Sequence, residues 1–154
     1  MSRDKKIDTL MLQLQAFAES DMERKRKAMV IENEYTYCVL ADKAIKDRDR
    51  VYLNQVLHAA RAFDSCLRLF LDKMECLGDE HSMGEYVKKL QNSESLRFKQ
   101  LDGNLATLIK TEVIDKRNRY MHAAGTFPTQ GEANYVIAKT IDYMNRILSL
   151  EIEK

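Results

Sequence analysis

The chain has 154 residues, 45% hydrophobic and 32% charged, a balance that fits one globular domain with a real core and excludes a disordered chain. Its net charge of +1 provides no global field towards nucleic acid or membrane, so any anion site must be local. Only 5 Gly and 1 Pro occur, none before Gly78, which excludes a strand-rich fold with frequent turns and leaves long helices.

Cys38, Cys66 and Cys76 fit no metal or redox spacing and are expected to be small apolar residues in a reducing compartment. No apolar run is long enough to span a membrane, and the charged start Met1-Ser-Arg-Asp-Lys-Lys6 leads into no apolar signal region. A cytoplasmic location, no membrane partner and no metal or other cofactor are expected.

Residues 4–47 are predicted to be helical. Ile7, Leu10, Met11, Leu14, Phe17 and Ala18 form one apolar stripe, and Ile31, Tyr35, Cys38, Val39 and Ile45 a second. The polar stretch 19–27 between them is either a solvated waist in one helix or a break, with Ser20 or Asp21 as the cap of a second helix. Residues 46–50 read as a charged connection. A helix over about 51–77 carries Leu53, Val56, Ala60, Phe63, Leu67, Phe70, Met74 and Leu77, with Gly78 as its stop.

Residues 79–93, with Gly84, Asn92 and Ser93, read as a loop that includes one helical turn. A third helix begins near Ser93 or Asn104 and runs to His122, with Leu101, Leu105, Leu108, Ile109, Val113, Tyr120 and Met121 as its apolar positions. Gly125 to Pro128 ends it, Thr129 to Glu132 matches a capping box, and a last helix covers about 131–152 with Ile137, Ile141, Met144 and Leu148 inward. The expected fold is all-α, one domain over 1–154, an up-and-down bundle of four to five helices with a long N-terminal helix or helix pair.

One segment carries candidate chemistry, Arg117-Asn118-Arg119-Tyr120-Met121-His122. Arg117 falls on the stripe of Val113, Tyr120 and Met121, where a buried guanidinium would need a partner. Asn118 and His122 share a face, whereas Arg117 and His122 stand roughly 140° apart on an ideal helix. Metal-free RNA cleavage by 2′-hydroxyl attack needs a base, an acid and a cation on the phosphate. Histidine suits the proton role, arginine the phosphate, and asparagine can orient either. DNA lacks the attacking hydroxyl, so the site would select RNA.

This segment resembles the signature of the HEPN-domain family: an Arg, often followed by Asn, then a His a few residues on. The resemblance implies a helical bundle, metal-independent endoribonuclease activity in toxin–antitoxin or phage-defence systems, and a homodimer in which two motifs share a cleft. It implies Arg117 and His122 as catalytic residues with Asn118 in support. Asp64 matches the acidic residue that often accompanies the motif. Some relatives carry a Tyr two residues after the His, where an antitoxin modifies them; Ala124 stands there in this chain, which speaks against neutralisation by that route.

Arg61, Arg119 and Tyr120 complete the set as RNA-binding candidates. Each candidate also has a plainer reading. His122 can serve the helix dipole, Arg117 can snorkel, Asp64 can pair with Arg61 or Arg68, and Tyr120 can pack in the core. His58 is expected at the bundle rim, His81 in a loop, and Arg24 to Lys27 on a solvated helix face or as a guide for RNA backbone. Expected partners are RNA, a second copy and an antitoxin or inhibitor protein. The alternative function is a non-catalytic helical dimerisation or partner-binding module, suited by an N-terminal apolar stripe larger than a small bundle needs.

Overall fold

The structure, a computed structural model, describes residues 2–44 and 47–152. Ile45 of the second stripe and Lys46 of the charged connection lie outside the described residues. The helices are α1 (Arg3–Ala18), α2 (Met22–Ala44), α3 (Arg48–Lys73), α4 (Met83–Asn92), α5 (Gly103–Ile109), α6 (Asp115–His122) and α7 (Gln130–Leu148). A π-helical turn, Lys110–Ile114, joins α5 to α6 in one continuous helical run. No helix among the described residues is long and apolar enough to cross a membrane.

The polar stretch between the first two stripes is a break. Glu19 takes a left-handed φ of 55°, and its N–H closes back on Gln15 and Ala16. Asp21, not Ser20, opens α2: its Oδ1 accepts from the N–H groups of Glu23 at 3.0 Å and Arg24 at 3.1 Å.

α3 ends before the expected stop. The left-handed residue after it is Glu75, with φ 60°, and the N–H of Cys76 reaches the carbonyl of Leu71 at 2.9 Å. Residues 83–92, expected as a loop, form a full helix. Ser82 accepts from the N–H of Glu85 at 3.2 Å, and Met83, Tyr86, Val87 and Leu90 are buried at helical spacing. With 103–122 taken as one run, the described residues form six helices, because α4 joins the expected set.

The π turn answers a spacing problem. Leu105, Ile109 and Val113 are all buried and stand four residues apart. Each such step drifts by about 40° on a regular α-helix. A turn closed by i→i+5 bonds holds more residues and keeps Val113 on the core face. Leu108 and Met121, expected inward, are 42% and 50% exposed. They flank the buried stripe and do not belong to it. Leu101 is buried but precedes the helix.

α7 starts as expected, with Thr129 Oγ1 accepting from the N–H of Glu132 at 3.1 Å. It ends at Leu148, short of the expected 152. The chain beyond instead bonds residues 97–99, through Lys99 N–H to Leu150 at 2.8 Å and Ile152 N–H to Arg97 at 2.8 Å.

A single core joins all the helices. α3 runs through its middle and packs against α2, α4, α6 and α7, while α1 lies on α2 and α7. The Tyr35 hydroxyl meets Thr140 Oγ1 at 2.8 Å inside it. Ile7, Leu10, Met11, Leu14 and Phe17 of α1 are all buried in this core. The N-terminal stripe expected to be left for a partner is therefore used inside the chain.

Candidate nucleic-acid site

Arg117 stands on α6 facing α3 and is half-buried, not inserted in the core. The core stripe passes through Val113 and Tyr120, so Arg117 falls at its edge. Its Nη1 donates to Asn118 Oδ1 at 3.0 Å, which holds the guanidinium beside the exposed Asn118.

Two neighbouring grooves share Arg61 and Arg117. The first, about 250 Å³, also has Asp64 of α3 and His81 and Ser82 before α4. The second, about 270 Å³, has Asn54, His58 and Met121. Two guanidiniums thus divide one surface formed by α3 and α6.

Asp64 is half-buried, and burial raises its carboxyl above the usual carboxylate range. The charges of Arg117 and Arg68 partly oppose that rise. The expected intrahelical ion pair is not formed. Arg61 bonds Glu34 instead, with Nε 3.1 Å from Oε1, and Arg68 donates to the Tyr86 hydroxyl at 3.1 Å.

His122 is the last residue of α6, exposed, and lines neither groove. Arg117 and His122 belong to the same regular α-helix, so about 140° of rotation separates them. One chain does not bring the two motif residues to one groove. The last turn of α6 carries Arg119 and His122, a placement that also suits the helix dipole.

Arg119 is exposed, with its guanidinium 5.7 Å from the Tyr120 ring centre. Tyr120 itself is 6% exposed and donates its hydroxyl to Glu132. Burial, then the Glu132 carboxylate, pushes this phenol up to about 12. Its ring presents no open face for a base, and the core-packing reading is the one observed.

Glu34 of α2 was not among the candidates. It is 5% exposed, and its two oxygens are divided: Oε2 lies 2.6 Å from His58 Nδ1 and Oε1 binds Arg61. His58 is therefore a partnered histidine, with the Tyr37 ring 5.4 Å away, at the bundle rim as expected but not free in solvent. The signal was present in the sequence: Glu34 stands three residues after Ile31 and four before Cys38, on a core stripe, where a carboxylate must find a cation.

His81 is exposed in a loop, its side chain 82% accessible. The basic run is not simply a solvated helix face: Arg24 and Lys27 are half-buried and reach across to Asp72 of α3 at 3.5 and 3.4 Å. No cluster of three or more His, Cys, Asp or Glu side chains suited to a metal occurs among the described residues.

The surface so built offers guanidiniums for an anion, a carboxyl with raised proton affinity, and a histidine fixed by a carboxylate. No protein-family model, no curated protein and no solved structure matches the chain.

Proposed function

We propose that the chain is a metal-independent RNA endonuclease of the HEPN type, acting in a toxin or phage-defence setting. The observation that supports this reading best is the meeting of Arg117 and Asp64 in one groove, from α6 and α3. These are the residues that the motif and its acidic companion single out. Arg117 would hold the scissile phosphate, with Asn118 steadying its guanidinium. Asp64 would stand beside it as a carboxyl able to share a proton.

His122 is turned away from the groove of its own chain, so it would act from a second copy. Two chains about a two-fold axis would each lend His122 to the other's Arg117. The 2′-oxygen attacks phosphorus, the 5′-oxygen leaves, and a 2′,3′-cyclic phosphate and a 5′-hydroxyl result. An antitoxin or inhibitor protein would be needed to restrain such an activity.

The test is cleavage of RNA in the presence of a metal chelator, with the product ends identified. Arg117→Ala and His122→Ala should each slow cleavage by about 100-fold or more. Mixing the two variants should restore part of the activity, since a mixed dimer keeps one intact site. Parental RNA cleavage by both variants would end the proposal. No cleavage by the parent, and no growth arrest on expression, would leave a non-catalytic helical module.

A further inference from the structure

The second groove holds a histidine–carboxylate pair that the motif does not include. Glu34 is 5% exposed, and a carboxylate so buried persists only when its oxygens are paired. Both are: Arg61 takes one at 3.1 Å and His58 the other at 2.6 Å. An ionised carboxylate only accepts hydrogen bonds, so the proton of this contact sits on Nδ1 of His58. In the neutral ring Nε2 is then the acceptor nitrogen, with no hydrogen-bond partner among the described residues, and His58 lines the groove shared with Asn54, Arg61 and Arg117. A carboxylate that fixes the tautomer and ring orientation of a histidine lining a cleft is the arrangement of a general base. Two guanidiniums on the same groove suit a phosphate oxygen.

We infer that the groove of Asn54, His58, Arg61 and Arg117 seats an RNA phosphodiester, and that His58, set by Glu34 as a positioning residue, takes the proton of the attacking 2′-hydroxyl. The inference rests on the endonuclease reading and deepens it. In the step, His58 Nε2 accepts the 2′-hydroxyl proton as the 2′-oxygen forms its bond to phosphorus. The bond from phosphorus to the 5′-oxygen breaks, and that oxygen leaves with the electron pair and takes a proton from His122 of a second copy. The dimer then carries one proton more on His58 of one copy and one fewer on His122 of the other, and solvent exchange resets both. Base and acid thus come from α3 of one copy and α6 of the other.

The experiment compares the full-length parent with His58→Ala, His58→Gln and Glu34→Gln on an RNA substrate. His58→Ala should lose about 100-fold in single-turnover rate, and added imidazole should recover part of the loss. A merely structural histidine would show no such recovery. His58→Gln, which keeps a donor for Glu34, should be as slow as His58→Ala. Glu34→Gln should lower kcat with KM held within about twofold. The chain has 3 His, so the ring signals can be assigned by single variants, and 2′-O-methyl RNA, which cannot be cut, should move the His58 signal. If the parent cuts RNA and both His58 variants cut it as fast, the role of His58 is overturned and the endonuclease reading stands. A His58 signal unmoved by saturating 2′-O-methyl RNA overturns the phosphodiester seat. A parent that cuts no RNA overturns the endonuclease reading and the proton transfer together.

Discussion

The hydroxyl of Tyr120, near the end of α6, donates to the carboxylate of Glu132, the residue whose N–H closes the cap of α7. One bond therefore ties the helix that carries Arg117 and His122 to the start of the last helix. Burial is the larger reason that the Tyr120 phenol stands near 12, and the phenol in turn holds Glu132 below its usual range. Tyr120→Phe should cost about 1 kcal/mol at neutral pH. The raised phenol gives a stabilisation complete below the ordinary value of 10.0 and lost as pH rises towards about 12. Urea unfolding across pH 9 to 12 should show a shallower alkaline loss in the variant. Some loss should remain, because Tyr135 is likewise pushed up to about 12, chiefly by the neighbouring Glu112 carboxylate.

Asp64→Asn should stabilise the chain while harming the proposed activity. Burial raises the Asp64 carboxyl, so its contribution is present below the ordinary value of 3.8 and is lost as pH rises through the folded value. Asparagine stays neutral and escapes that loss. The urea midpoint of the variant should exceed the parent's at pH 7 and converge with it near pH 3. A lower midpoint at pH 7 would mean that the field of Arg117 outweighs burial.

Glu75→Gly should stabilise by about 0.5–1 kcal/mol, because φ 60° is costly for a residue with a Cβ. The ion pair lost with Arg97 counts for little, since the Glu75 side chain is 77% exposed. Glu19→Gly, at φ 55°, should gain less. There the side chain meets Lys73 Nζ at 3.4 Å, and Lys73 is 5% exposed. Thermal unfolding of the two variants side by side measures the difference.

Thiol labelling should separate the cysteines. Cys66 is buried, and burial pushes its thiol up to about 12; Cys38 is buried too, and Cys76 is half-exposed. In native protein one thiol, that of Cys76, should react promptly, with the other two following only in denaturant. Fast native reaction of Cys66 would contradict its burial.

The helical class and most apolar stripes could be read from spacing alone, as Ile7 to Phe17 and Val56 to Phe70 show. The helix ends were less legible. Gly78 is the obvious stop, yet Glu75 makes the left-handed turn. Helix α4 was hidden by its polar flanks, although Ser82 and Glu85 formed a visible capping box. At the candidate site, the motif and its companion drew attention to Arg117 and Asp64, which line one groove. Glu34 and His58 were not legible, since their pairing joins α2 to α3, and a contact between two helices leaves no mark on the spacing within either. Only the isolated charge on a core stripe gave it away.

The π turn before α6 makes the aim of Arg117 a matter of residue count. If the five residues 110–114 were all kept but wound as a regular α-helix, every side chain of the motif would stay in place in the sequence, yet α6 would swing by about 100° and carry Arg117 off α3. The same six letters could then occupy another chain as an inert string. For proteins of this kind, the phase of the helix upstream decides whether such a string is a site at all.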